Sequence, residues 1–197
     1  MVAEEAQELG RDGVLAVKQW LESTTHVNFD FMVYDNQPKC TLENLSPNPK
    51  RFDLEGRFLE KKARALSVES KRYKTVGGQA AGFQQFLAIT YSTTARELET
   101  VGDTRREYMW VTYHPFAQTK WPKLTKKANI REALLAYPKY LGTTDGLPTG
   151  TVRGLDEDVV DLLTQRLWIL VFNEKQERLM LSPKELSKVF AQLKRKP

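Results

Sequence analysis

The first hundred residues alternate between two hydrophobic periods, and this alternation limits the fold to a mixture of helices and strands. Apolar side chains recur at helical spacing over 3–22, whereas residues 27–35 follow the two-residue period of a strand. Further strand-like segments cover 51–60 and 63–73. Two glycines then precede a segment, starting at residue 79, whose wide apolar face is typical of a helix.

The rest of the chain continues the mixed pattern. Strands are predicted over 107–116 and 166–173, and helices over 129–140, 156–165 and 182–196. The segments 36–50 and 141–154, rich in proline and glycine respectively, are predicted loops. The order α-β-β-β-α-β-α-α-β-α favours one α/β domain, residues 1–197, with a central mixed sheet flanked by helices.

Cysteine and histidine are scarce, which excludes several classes of metal site. The 197 residues include one cysteine, Cys40, and two histidines, His26 and His114. One cysteine forms neither an internal disulfide nor a cysteine cage for zinc or an iron–sulfur cluster. We therefore expect a reducing, cytoplasmic location, and a hard metal ion held by carboxylates if any metal is bound.

Membrane association is not expected. No apolar run approaches the roughly 18–20 residues that span a bilayer. The N-terminus begins Met-Val-Ala-Glu-Glu and lacks the cationic start and apolar core of a secretory signal.

Positive charge is concentrated in the later part of the chain. The formal net charge is +5, yet residues 1–60 contain 6 Lys/Arg against 11 Asp/Glu, and residues 61–197 contain 24 against 14. This asymmetry favours a surface that faces a polyanion such as nucleic acid. The alternative is that the basic residues merely solvate helices.

Two acids and a lysine fall on consecutive predicted strands. Asp53 lies near the start of the second strand, and Glu69-Ser70-Lys71 lies on the third. Alternate residues of a strand share a face, so we expect Glu69 and Lys71 side by side, with Asp53 approaching them. Two carboxylates can hold divalent ions that activate water for phosphodiester hydrolysis, and a lysine can orient that water. The alternative is a surface ion pair of little energetic value.

This arrangement resembles the restriction-endonuclease-like, or PD-(D/E)XK, nuclease superfamily. The family pattern is helix, strand, an acid at a strand start, Glu-X-Lys on the next strand and then a helix, and it covers roughly residues 3–112 here. Phe52 replaces the proline that usually precedes the first acid, Asp53. The resemblance implies a restriction-endonuclease-like fold in which 113–197 is a C-terminal elaboration. It also implies Mg²⁺- or Mn²⁺-dependent DNA cleavage, often by a homodimer, in restriction or anti-phage defence.

Four residues are candidate metal ligands. Asp53 and Glu69 are the two acids of the motif, and the backbone carbonyl of Ser70, between the motif side chains, is a further candidate. Glu8 matches a glutamate that several families of this fold place on the first helix, although Glu5 or simple solvation of the helix competes with that interpretation.

The candidate catalytic set is Asp53, Glu69, Lys71 and Gln79. Lys71 is expected to assist the attacking water. Gln79 opens the motif helix, where a glutamine in several branches of the family contacts the DNA backbone or the water; an ordinary helix-terminal residue is the alternative. Glu55 alternates with Asp53 and is a second candidate for the first acid, with Asp53 preferred.

Two basic windows are candidate nucleic-acid contacts. Residues 61–74 hold six Lys/Arg and one acid, and residues 118–131 hold five Lys/Arg and no acid. An aromatic among lysines can stack on a base or pack beneath the cations. The predicted contacts are Arg72, Lys74, Lys120, Trp121, Lys123, Lys126 and Lys127. His114 is a candidate phosphate contact or a structural residue.

These observations predict a metal-dependent DNA endonuclease. An inactive nucleic-acid-binding module on the same fold is the alternative, as is an interaction subunit of a larger system whose basic surface contacts an acidic protein. Within the enzyme hypothesis, RNA and single-stranded DNA remain possible substrates, and no base-reading motif indicates a recognition sequence.

Overall fold

A computed structural model describes residues 3–60, 62–72, 77–142 and 153–193. The strands are β1 (Val27–Met32), β2 (Thr41–Leu42), β3 (Lys50–Arg51), β4 (Leu54–Phe58), β5 (Ala65–Lys71), β6 (Glu107–Thr112) and β7 (Leu167–Val171). The helices are α1 (Ala3–Thr24), α2 (Gln79–Thr100), α3 (Lys127–Ala136), α4 (Glu157–Thr164), α5 (Glu174–Glu177) and α6 (Pro183–Leu193). Each helix in these ranges is too short or too polar to traverse the hydrocarbon of a bilayer.

Five strands form the central sheet, in the order β1-β4-β5-β6-β7. Strands β1, β4 and β5 are antiparallel neighbours, whereas β5, β6 and β7 run parallel. The parallel step from β5 to β6 requires a crossover, and α2 provides it. The register places Glu69 beside Trp110 of β6. Strand β7 extends the same sheet, so the chain beyond residue 112 contributes to the core.

Helices cover both faces of this sheet. On one face α1 packs Val14 and Val17 against a cluster that includes Val68 and Val111. On the other face α2, α3 and α4 enclose an aromatic cluster centred on Trp110. The protein is therefore an α/β fold with a mixed central sheet flanked by helices, as the order of predicted elements indicated.

The predicted strand 51–60 is divided into two strands, and Asp53 lies at the division. The backbone amide of Phe52 donates to the carbonyl of Cys40 (2.8 Å), next to the small β2–β3 ribbon. The amide of Asp53 instead donates to the carbonyl of Val68 (2.9 Å) in the central sheet. The chain thus passes from one sheet to the other between Phe52 and Asp53, which period-two patterning does not reveal.

Other predicted elements differ from the structure mainly at their ends. The strand predicted over 107–116 stops at Thr112, and the helix predicted over 129–140 is interrupted at Pro138, which begins a separate 3-10 turn. The predicted loop 36–50 contains a 3-10 turn and β2, and α5 was not predicted. Most of the predicted loop 141–154 lies outside the described residues.

Candidate active site

Asp53 is fixed at the end of β5 by the backbone. Its amide donates to Val68, and its carboxylate atom Oδ2 accepts a 2.7 Å hydrogen bond from the amide of Ser70. The side chain is half-buried. Because Ser70 lies between Glu69 and Lys71, this hydrogen bond places the first acid against the Glu-X-Lys triplet.

Glu69 is the buried centre of the site. It is 5% exposed and lies on the α2 face of the sheet, next to Trp110. Its Oε1 pairs with Nζ of Lys71 at 2.5 Å, and its Oε2 pairs with Nζ of Lys50 at 2.8 Å. The structure therefore brings Glu69 and Lys71 together on one face, and it adds Lys50, which sequence reasoning missed.

The two acids differ in how readily they lose a proton. Burial and the neighbouring Glu69 carboxylate raise the pKa of Asp53 to about 6, against the lowering effect of Lys71 and of the Ser70 amide. Burial also disfavours ionised Glu69, but the ammonium groups of Lys71 and Lys50 outweigh it and lower the pKa of Glu69. An ionised glutamate thus adjoins an aspartate that is ionised only above mildly acidic pH.

A cleft of about 300 Å³ opens above these groups, between the sheet and α2. Lys50, Glu69 and Lys71 form its charged side, and Trp110 and Tyr140 also line it. The ammonium of Lys71 lies 5.9 Å from the Trp110 ring centroid, within the range of a cation–π contact. Glu69 is therefore next to a space that a ligand can enter.

Lys50 gave a weak signal in the sequence. It stands three residues before Asp53, at the end of a predicted loop. Its position follows from the pairing of β3 with β2, where Lys50 faces Leu42. Two-residue strands are too short for periodicity to reveal, so the sequence alone does not place this lysine at the site.

Gln79 begins α2 and lies deep in the fold, at 1% exposure. Its Oε1 accepts a 2.7 Å hydrogen bond from the Thr112 hydroxyl at the end of β6. Its Nε2 is buried and has no hydrogen-bond partner among the described residues. Gln79 is thus more than a solvated helix-terminal residue, and it retains an unused donor.

The other predicted metal ligands are less clearly placed. Glu8 on α1 is exposed, and the side chain of Glu5 lies outside the described residues. Ser70 reaches Asp53 through its amide, and the role of its carbonyl stays a prediction. In the described part of the chain, no three acidic, histidine or cysteine side chains gather around a common point.

Glu55 belongs to a separate buried network. Its Oε2 accepts from Arg106 at 2.6 Å, and Arg106 also contacts Glu97 and Ser67, at 2.7 and 2.8 Å. Burial raises the pKa of Glu55 to about 7, although Arg106 acts in the opposite direction. Glu55 therefore pairs with Arg106, and Asp53 is the acid beside Glu69.

The first basic window does not surround the cleft as a whole. Arg72 pairs with Glu177 at 3.3 Å and lies 5.0 Å from the ring of Tyr113, which belongs to the α1-side cluster. It therefore faces away from Glu69. Lys74 lies outside the described residues.

The second basic window is an exposed turn followed by α3. Lys120, Lys123 and Lys126 are exposed, and Lys127 is exposed but paired with Asp161. Trp121 is half-buried and packs edge-on against Phe116, with ring centroids 5.7 Å apart. The packing interpretation of Trp121 is thus the one its contacts support. His114, half-buried after β6, lines a different pocket, together with Arg72.

Comparisons with known proteins do not assign a family. No protein-family model matches the chain, and no curated protein matches it. A structure of the Acinetobacter baumannii Cap4 SAVED/CARF-domain containing receptor with the cyclic trinucleotide 3'3'3'-cAAA matches with a TM-score of 0.38 and 13% identity, over 92% of this chain and 34% of that chain. The Moraxella osloensis Cap4 receptor matches with a TM-score of 0.34 and 13% identity, over 92% and 36%. The chain spans about a third of these two structures.

Proposed function

We propose that this chain is a metal-dependent DNA endonuclease with a restriction-endonuclease-like fold. One observation carries the proposal: the amide of Ser70 holds the Asp53 carboxylate beside Glu69, which is itself paired with Lys71 and borders a cleft. Two neighbouring acids and a lysine are groups that can support metal-assisted hydrolysis of a phosphodiester.

The pair of acids suits Mg²⁺ or Mn²⁺. Magnesium is usually held by one or two protein carboxylates and completes its coordination with waters and substrate phosphate oxygens, so a cluster of three protein ligands is not required. Asp53 and Glu69 would hold the ion. When bound, it would polarise the phosphate and supply a water of lowered pKa.

Lys71, Ser70 and Gln79 are assigned the other roles at the site. Lys71, which is held between Glu69 and the Trp110 ring, is positioned to orient the attacking water and to offset charge that develops on the phosphate. The amide of Ser70 keeps Asp53 in a fixed orientation. Gln79 stays a candidate contact for the DNA backbone or the water, and its buried Nε2 would reach either only after a local rearrangement at the start of α2.

The surface charge favours a nucleic acid as the substrate, and the motif resemblance favours DNA. Lys120, Lys123 and Lys126 form an exposed basic segment that is suited to phosphate contacts. The motif resemblance extends the proposal to a homodimer that acts in restriction or anti-phage defence. The scarcity of cysteine favours the cytoplasm, and the exposed basic surface also suits a protein partner in a larger system.

A cleavage assay tests the proposal. The wild-type chain is expected to cleave DNA with Mg²⁺ and to be inactive in EDTA. Glu69→Gln and Lys71→Met are expected to lower the rate by at least about 10²-fold while the far-UV circular dichroism spectrum is unchanged. Cleavage by both variants at the wild-type rate would refute the site.

Binding of nucleic acid without cleavage is a second candidate function. The pairing of both Glu69 oxygens with ammonium groups favours it, because an acid saturated by lysines is stable without a metal ion. This candidate predicts DNA binding with a steep salt dependence and no uptake of Mn²⁺ in a calorimetric titration.

A further inference from the structure

We propose that Lys50 is a phosphate-binding residue that exchanges Glu69 for the scissile phosphate of DNA when the metal ion is bound. This inference rests on the proposed function. It adds a residue that the motif does not contain, and it makes binding of the metal and binding of DNA depend on each other.

The backbone around Lys50 is well anchored, whereas its side chain extends into the cleft. Lys50 pairs with Leu42 in the β2–β3 ribbon, and the next-but-one residue, Phe52, is fully buried and hydrogen-bonded to Cys40. The Lys50 side chain is 22% exposed and lines the cleft beside Glu69. A fixed backbone with a flexible four-carbon stem lets the ammonium change partners within the cleft.

The charges at the site explain why a change of partner is needed. Asp53, Glu69, Lys50 and Lys71 carry two negative and two positive charges, which cancel when both acids are ionised. A divalent cation between the acids would leave a strong positive excess, and it would compete with the lysines for the oxygens of Glu69. A phosphate group supplies the missing negative charge and a new acceptor for a displaced ammonium.

Lys50 is the lysine more readily displaced. Both lysines contact Glu69, Lys71 at Oε1 and Lys50 at Oε2. Lys71 also lies over the indole ring of Trp110, which attracts a cation more strongly than the phenyl ring of Phe52 beneath Lys50. Lys71 therefore stays with Glu69, and Lys50 turns to the phosphate.

This exchange predicts opposite effects on metal binding and on cleavage. Removal of the Lys50 ammonium reduces repulsion of the metal ion, so metal affinity without DNA should rise. The same change removes a phosphate contact, so cleavage should slow. A residue that merely stabilises Glu69 would not separate the two effects in this way.

The test compares the full chain with Lys50→Met, Lys50→Arg and Lys188→Met. Lys188 is exposed on α6, so its variant controls for the loss of one positive charge. Mn²⁺ is titrated calorimetrically without DNA, and DNA cleavage is measured at saturating Mg²⁺. Lys50→Met should bind Mn²⁺ about tenfold more tightly and cleave about 10²-fold more slowly. Lys50→Arg, which keeps the charge, and Lys188→Met should bind Mn²⁺ as the wild type does.

Two outcomes overturn the inference. If the wild type binds Mn²⁺ through Glu69 and cleaves DNA, but Lys50→Met binds Mn²⁺ no more tightly or cleaves at the wild-type rate, this inference alone fails. If the wild type binds no Mn²⁺, or if Glu69→Gln binds Mn²⁺ as tightly as the wild type does, the proposed function fails as well. Circular dichroism of each variant confirms that a lost activity does not reflect a lost fold.

Discussion

The amide of Ser70 donates a 2.7 Å hydrogen bond to the carboxylate of Asp53. These residues lie seventeen positions apart, on segments that are brought together by the antiparallel pairing of β4 and β5. This hydrogen bond and the one from the Asp53 amide to the Val68 carbonyl hold the first acid against the Glu-X-Lys triplet. The site depends on the register of β4 against β5, so a shift in that register would separate Asp53 from Glu69 and Lys71.

Asp53→Asn is expected to stabilise the metal-free protein at pH 7. The asparagine Oδ1 still accepts from Ser70, but the charge that burial and Glu69 disfavour is gone. Because the pKa of Asp53 is raised to about 6, its contribution to stability is full below the unfolded pKa and is lost as pH rises through 6. The melting temperature of Asp53→Asn should exceed that of the wild type by several degrees, because each kcal/mol of added stability raises it by about 2–4 °C in a chain of this size.

The pH dependence of this difference in melting temperature is the control for the prediction. The difference between Asp53→Asn and the wild type should shrink as pH falls from 7 to 4, because both then carry a neutral side chain. A variant that melts below the wild type at pH 7 would show that the ionised Asp53 stabilises the fold, and it would contradict the assignment.

Metal affinity is expected to fall below pH 6. A metal ion competes with the proton on Asp53, whose pKa is raised to about 6, whereas Glu69 stays ionised because its pKa is lowered. Mn²⁺ affinity, measured by calorimetry between pH 5 and pH 7.5, should decrease about tenfold per pH unit on the acidic side. An affinity that is constant across this range would remove Asp53 from the ligand set.

The sequence predicted the parts of this site that regular strands carry. Alternation along β5 placed Glu69 and Lys71 on one face because that strand is long and continuous. It did not predict the break before β4, because the hydrogen bonds of Phe52 and Asp53 go to different sheets. Lys50 was missed for the same reason: short irregular segments take their positions from tertiary contacts.

Charge in the sequence was a less reliable guide than strand pattern. Arg72 adjoins Lys71 in the chain, yet it points to the opposite face of the sheet and pairs with Glu177. Glu55 lies two residues after Asp53 and was predicted to share its face of the strand, yet its carboxylate pairs with Arg106. Which charged side chains meet depends on partners far away in sequence, which a single sequence does not reveal.

Arg106→Met is expected to destabilise the fold strongly without acting on the metal site. Arg106 is the cation between Glu55 and Glu97, and its side chain is only 13% exposed. Removal of one member of a buried ionic network costs about 3–5 kcal/mol, because the remaining charges lose their partner. Urea unfolding measures this cost.

Arg57→Met is the matched control for that experiment. Arg57 pairs with Asp30 at 3.2 Å on the surface, where its side chain is 51% exposed. Loss of such a pair costs about 0–1 kcal/mol. Equal unfolding midpoints for the two variants would show that the Arg106 network is not important for stability.

DNA binding is expected to lose part of its salt dependence when the exposed lysines of the second basic window are removed. Each lost phosphate contact lowers the slope of log affinity against log salt by about 0.9, so Lys120→Met/Lys123→Met should lower it by about 1.8. The matched control is Lys184→Met/Lys188→Met, which removes the same charge from exposed positions on α6. Fluorescence anisotropy at several salt concentrations gives both slopes. Identical slopes for the two double variants would place the DNA elsewhere.

The most direct measurement is cleavage of supercoiled plasmid and linear duplex DNA by the wild type and Glu69→Gln, each with Mg²⁺, with Mn²⁺ and in EDTA. Glu69 is the ionised acid that both lysines hold at the cleft, so the whole proposed chemistry depends on it. We predict cleavage by the wild type only with a divalent cation, and at least about 10²-fold slower cleavage by Glu69→Gln. Equal rates for the two proteins, or a wild type that leaves both DNAs intact with either metal, would contradict the account.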